Sequence, residues 1–221
     1  MLPGDEEQEN SVSQKPDVTL YHWPHSRSAT ALELIEELGA PYRLEVIDIT
    51  KGVQNEPAFL AINPMGKLPT VKVGDAVITE QVAIFIYLSD LFPEAGLTPA
   101  IDDPLRGPWL RWLVYYAACF EPAMMDKALK REAPQKMSSP YGSFDLVMET
   151  VRGQIGKGCY FLGERMTTAD VLWASALGWM TSFGVVEKTP DIAGYLERVG
   201  DRPGARRAAA INEKILAAHA S

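Results

Sequence analysis

Apolar and polar positions change rhythm several times along this chain. Val18 to Trp23 is an apolar run of strand length. Behind it, Ala31, Leu34, Ile35 and Leu38 recur at helical spacing, while Glu33, Glu36 and Glu37 take the other face. That pattern predicts an amphipathic helix, stopped by Gly39 and Pro41. Tyr42 to Ile49 alternates in part and carries β-branched residues, which predicts a second strand. Glu56 to Ile62 predicts a short helix, and Leu68 to Val73 a third strand. Gly74-Asp75 turns the chain into a fourth strand at Ala76 to Ile78, and Gln81 to Leu88 is apolar and helical. The tight turn makes the last two strands antiparallel, and the helical crossover makes the first two parallel. The expectation is a mixed four-stranded sheet with helices on both faces.

Beyond this point strand signals nearly vanish. Pro93, Gly96 and Pro99 mark residues 91–102 as a linker. Leu105 to Lys130 reads as a long helical stretch that Pro122 kinks or breaks. Helices are expected at Phe144 to Ile155, Thr168 to Thr181, Ile192 to Val199 and Arg206 to Ala218. The uncharged Thr168 to Thr181 segment belongs at the centre of a core. The organisation predicted is a disordered lead-in over 1–17, an α/β domain over 18–90, the linker, and an all-helical domain over 103–221.

Composition narrows the function. Of 221 residues 47% are apolar, enough for a sizeable core. A net charge of -8 with no basic, aromatic-rich face argues against nucleic acid as a partner. Cys119 and Cys159 lie far apart, and the three histidines, His22, His25 and His219, do not cluster with them, so no metal site is expected. The acidic N-terminal stretch lacks the pattern of a secretory signal, and no uncharged run reaches membrane-spanning length. A cytoplasmic protein without a membrane partner is the expectation.

Four segments carry candidate chemistry. YHWPHSRS, residues 21–28, places two serines, two histidines and Arg27 between a strand and a helix. It is either a reactive elbow or a polar turn. In NPMGKLPTV, Pro69 either begins an edge strand or, if cis, turns the chain and exposes the backbone of Leu68. In ITEQ, Thr79 can cap a helix whose N-terminus, at Glu80 and Gln81, favours an anion. Thr167 and Asp170 form a capping-box pair and are assigned to folding. Trp112, Tyr116 and Phe120 recur at helical spacing and could line an apolar cleft, depending on helix phase.

LYHWPHSRS, NPMGKLPTV, ITEQVAIFIYLSD and TTADVLWASAL stand in the order and at the spacing of one family. The chain resembles the soluble glutathione transferases, most nearly the bacterial serine-type members, from Val18 onward. The resemblance implies a thioredoxin-like N-terminal domain, an all-helical C-terminal domain, and glutathione as co-substrate without a metal. It implies a cis Pro69, with the Leu68 backbone pairing with the cysteinyl part of glutathione. Glu80 and Gln81 would hold the γ-glutamyl end, although the family usually has Ser where Gln81 stands. Gln54 and Lys67 would meet the glycyl carboxylate. Ser26 would steady the thiolate, with Ser28 and Tyr21 as alternatives and Arg27 able to assist by its charge. No Cys stands in this stretch, which sets cysteine-type chemistry aside. His25, Trp112, Tyr116 and Phe120 would line the pocket of a small apolar electrophile, and members usually form homodimers. The implied activity is conjugation of glutathione to that electrophile. The alternatives are a glutathione-dependent isomerase or peroxidase, and a non-catalytic binding or regulatory protein.

Overall fold

The computed structural model describes residues 16–132, 135 and 137–219; the expected lead-in lies outside these apart from Pro16 and Asp17. The first half holds β1 (Val18–His22), α1 (Ser28–Leu38), β2 (Tyr42–Val46), α2 (Pro57–Leu60), β3 (Thr70–Val73), β4 (Ala76–Ile78) and α3 (Gln81–Leu91). Its sheet runs β2-β1-β3-β4. β1 pairs with β2 in parallel and with β3 antiparallel, and β3 pairs antiparallel with β4. The mixed sheet therefore has the expected directions.

Alternation along β1 sends successive side chains to opposite faces. Val18, Leu20 and His22 are fully buried, while Tyr21 turns the other way and meets Phe59 of α2 edge-on at 5.7 Å. α1 buries Ala31, Leu34, Ile35 and Leu38 as the spacing required, and Gly39 ends it at a φ of 62°. β2 is shorter than expected. Asp48 accepts the Thr50 backbone N–H at 3.0 Å and its hydroxyl at 2.5 Å, and this local turn competes with the ladder.

The second half holds α4 (Arg106–Tyr115), α5 (Glu121–Ala128), α6 (Phe144–Ile155), α7 (Thr168–Ser182), α8 (Pro190–Gly200) and α9 (Pro203–His219). A single π turn, Tyr116–Phe120, joins α4 to α5. Pro122 accounts for it: its ring would crowd the carbonyl of Ala118 and it has no N–H to offer there, so the helix widens just before it. α7 is the central helix. Asp170 completes a capping box with Thr167 and also accepts the Phe161 N–H at 2.7 Å and the Tyr195 hydroxyl at 3.1 Å. Trp173, one turn on, sits among Trp112, Tyr116, Phe120 and Phe161.

The glutamates of α1 are not a free solvent face. Arg202 donates to Glu33 at 2.8 Å and to Glu37 at 3.2 Å, and Arg207 donates to Glu36 at 2.6 Å. The C-terminal helix α9 thus lies along α1 and ties the two halves together. Among the described residues no helix is long and apolar enough to cross a membrane.

Candidate functional site

The turn after β1 is built by hydrogen bonds. Ser28 is fully buried; its Oγ lies 2.8 Å from His22 Nδ1, accepts the Trp23 N–H at 3.0 Å and stands 2.6 Å from Ser26 Oγ. His22 Nε2 reaches Asn212 Oδ1 of α9 at 2.8 Å. Burial drives the imidazole down to about 4, against the Asn212 and Ser28 contacts that favour its charged form. The ring is therefore neutral at pH 7 and serves as a strut. Ser26 is partly exposed; its hydroxyl donates to the Trp23 carbonyl at 2.9 Å. Ser28 is buried, whereas Ser26 and Tyr21 are both half-buried, and none of the three lines either of the two cavities beside the turn.

Two cavities lie next to this turn. The smaller, about 210 Å³, is lined by Lys67, Leu68, Pro69, Glu80 and Gln81, with Asn63, Thr79, Arg27 and Glu121. The Leu68–Pro69 peptide is cis. β3 begins at Thr70 rather than at Leu68. Glu80, not Thr79, holds the N-cap position of α3, at a φ of 63°, and no side chain caps the helix. The first-turn N–H groups of α3 and the Glu80 carboxylate therefore stand together at the small cavity, one set suited to an anion and the other to a cation. Asn63, which sequence reasoning missed, anchors the wall: its amide donates to the Lys67 carbonyl at 2.9 Å and to Thr70 Oγ1 at 3.0 Å. Gln54 lies in a neighbouring 3₁₀ turn and does not line the cavity.

The larger cavity, about 590 Å³, lies between α1, α5 and α7. Its walls are mainly apolar, with Met124, Met125, Trp179, Met180 and Phe183, and Tyr116 at the inner end. Of the four residues expected in the electrophile pocket, Tyr116 alone lines it. Trp112 and Phe120 pack, like Tyr116, against the Trp173 ring, and neither lines this cavity. His25 faces a separate groove between α1, α7 and α9. Trp179 and Met180 belong to the helix that the sequence places at the centre of the core, but in the structure they line this cavity opposite Met124 and Met125 of α5.

Among the described residues, Arg27 and Glu121 are the two that border both cavities. Arg27 Nε donates to Glu121 Oε1. Burial alone would lower the guanidinium's pKa, but the Glu121 carboxylate outweighs it and raises the value. Tyr116 lies within 3.3 Å of Glu121 Oε1 and 3.4 Å of Gln81 Oε1; burial, then the Glu121 charge, holds its phenol well above the ordinary range. Among the described residues, no group of three or more His, Cys, Asp or Glu side chains could hold a metal.

Known proteins resemble the chain over most of its length. The model of the glutathione S-transferase N-terminal domain matches residues 16–90, and that of the C-terminal domain matches residues 112–203. Glutathione S-transferase 1 of Dianthus caryophyllus is 34% identical over 191 residues, 79% of this chain and 83% of the relative. A maleylacetoacetate isomerase of Aspergillus fumigatus is 29% identical over 211 residues, 89% of this chain and 91% of the relative. The crystal structure of a glutathione transferase homologue from Sulfitobacter, with bound glutathione, is 29% identical with a TM-score of 0.70, over 89% of this chain and 97% of that one. Both domain models fall in chain order on the two halves that the fold separates, and the chain belongs to the glutathione S-transferase family.

Proposed function

We propose that the protein is a glutathione transferase that joins the glutathione sulfur to a small apolar electrophile. The observation that carries this reading is a pair of cavities that share Arg27 and Glu121 in their walls, one small and polar, the other larger and apolar. The tripeptide lies in the small cavity, with the Leu68 backbone against its cysteinyl unit, its α-ammonium at Glu80 and its γ-glutamyl carboxylate at the start of α3. Lys67 meets the glycyl carboxylate. The thiol gives its proton to solvent, and Ser26 donates a hydrogen bond to the thiolate. A sulfur lone pair forms the C–S bond, and the electrons displaced at the attacked carbon leave with its substituent or are quenched by a proton from water.

The Aspergillus fumigatus relative supports a second reading, in which glutathione adds, the substrate isomerises and glutathione departs unchanged. Consumption of glutathione separates the two. The test of the common core is calorimetric titration of glutathione into the wild-type protein and into Glu80→Ala. Saturable binding that weakens at least tenfold in the variant is expected, since a charge-assisted contact is worth roughly 1.5–3 kcal/mol. A folded wild-type protein that binds no glutathione overturns the reading.

A further inference from the structure

A sulfur held in the small cavity that attacks a carbon held in the large one must do so at their boundary. Arg27 and Glu121 form that boundary. Arg27 is the residue just before α1, one position from Ser26 and Ser28. Glu121 opens α5, and their ion pair spans the two halves of the molecule. Arg27 Nη2 also reaches Met125 Sδ at 3.7 Å, on the wall of the large cavity.

The π turn explains how Glu121 arrives there. Residues five apart on an α-helix point about 140° away from each other. Here the Glu121 N–H donates to the Tyr116 carbonyl, so the ring closes over five residues and both side chains come to one face. The 3.3 Å approach of the Tyr116 hydroxyl to Glu121 Oε1 is the result. Such turns are frequent at functional sites.

We propose that Arg27 faces the glutathione sulfur and stabilises its thiolate, and that Glu121 partly offsets the guanidinium charge there. The inference rests on the glutathione reading above and adds a catalytic residue to it. A guanidinium beside the sulfur favours the anion, whereas the Glu121 carboxylate disfavours it. The two substitutions must therefore move the thiol in opposite directions, a signature that damage to the fold does not produce. The other charged or titratable groups at the two cavities are Lys67 and Glu80 in the small one and Tyr116 and Lys127 in the large one. They are common to all the variants below.

The experiment is a spectroscopic titration of bound glutathione by thiolate absorbance. It uses wild type, Arg27→Ala, Arg27→Lys, Glu121→Gln and Ser26→Ala. S-methylglutathione, which has no thiol, reports binding independently, and circular dichroism reports folding. Arg27→Ala is expected to raise the thiol pKa by about one unit, a roughly tenfold loss of thiolate at fixed pH. Arg27→Lys recovers most of that loss, and Glu121→Gln shifts the thiol downward. If Arg27→Ala does not fold, the near-isosteric Glu121→Gln carries the test by its sign. The proposal falls if Arg27→Ala leaves the thiol unmoved while Ser26→Ala raises it, or if Glu121→Gln moves it upward. Failure of folded wild type to bind either tripeptide overturns the glutathione reading, and this inference with it.

Discussion

His22 makes stability depend on pH in a way that one substitution isolates. The ring is fully buried, with Ser28 Oγ and Asn212 Oδ1 each at 2.8 Å from a ring nitrogen. Burial lowers its pKa from 6.5 to about 4 in the folded protein. A depressed imidazole means that the unfolded chain takes up the proton first as pH falls. The stabilisation is thus fully present above the unfolded value and is lost between there and about 4. A gap of about 2.5 units corresponds to roughly 3 kcal/mol in full, and to about 2 kcal/mol by pH 5. His22→Asn keeps a polar group beside Ser28 but removes the titration. Urea unfolding of both proteins at about pH 8 and pH 5 gives the comparison. Wild type is more stable at the higher pH, and its advantage shrinks by about 2 kcal/mol at the lower one. The difference between the proteins matters, rather than the wild-type slope alone. Burial also raises Glu33 to about 7, against the pull of Arg202, and that group favours folding at low pH in the same window. It is present in both proteins and cancels. An advantage equal at both pH values would refute the argument.

Two more substitutions probe the scaffold. Glu80 holds a positive φ of 63°, which costs a non-glycine residue roughly 1 kcal/mol or more, so Glu80→Gly should raise the thermal midpoint while weakening glutathione binding; a variant that melts earlier than wild type contradicts this. Asp170→Ala leaves the N–H groups of Phe161 and Thr167 and the Tyr195 hydroxyl without their acceptor, and should cost about 3 kcal/mol or more in chemical denaturation; a loss under about 1 kcal/mol would show that water replaces the carboxylate.

Much of the architecture was legible because it depends on local signals. The spacing of Ala31, Leu34, Ile35 and Leu38 placed α1, the Gly74-Asp75 turn placed the hairpin, and Thr167 with Asp170 placed the start of the central helix. The small cavity was legible for a similar reason. Lys67, Leu68, Pro69, Glu80 and Gln81 sit in two short segments, one leading into β3 and the other leaving β4, that antiparallel pairing brings to the same end of the sheet. The large cavity was not, because its lining depends on helix phase. Pro122 signalled a break, but not that the helix would widen before it, nor that Trp112 and Phe120 would pack onto Trp173 rather than line the cavity. Glu33, Glu36 and Glu37 read as a solvated face because Arg202 and Arg207 lie far along the chain. No local pattern announces an ion pair made over that separation.

The clamp of α9 on α1 has a consequence for how the molecule is made. The strut at His22 closes on Asn212, 190 positions later. During synthesis the sheet and its first helix emerge well before Arg202, Arg207 and Asn212, the residues that meet the α1 glutamates and His22. Until then the nascent half presents an acidic helix and an unbraced loop. The turn after β1 is thus completed only when a segment far along the chain has folded back onto it.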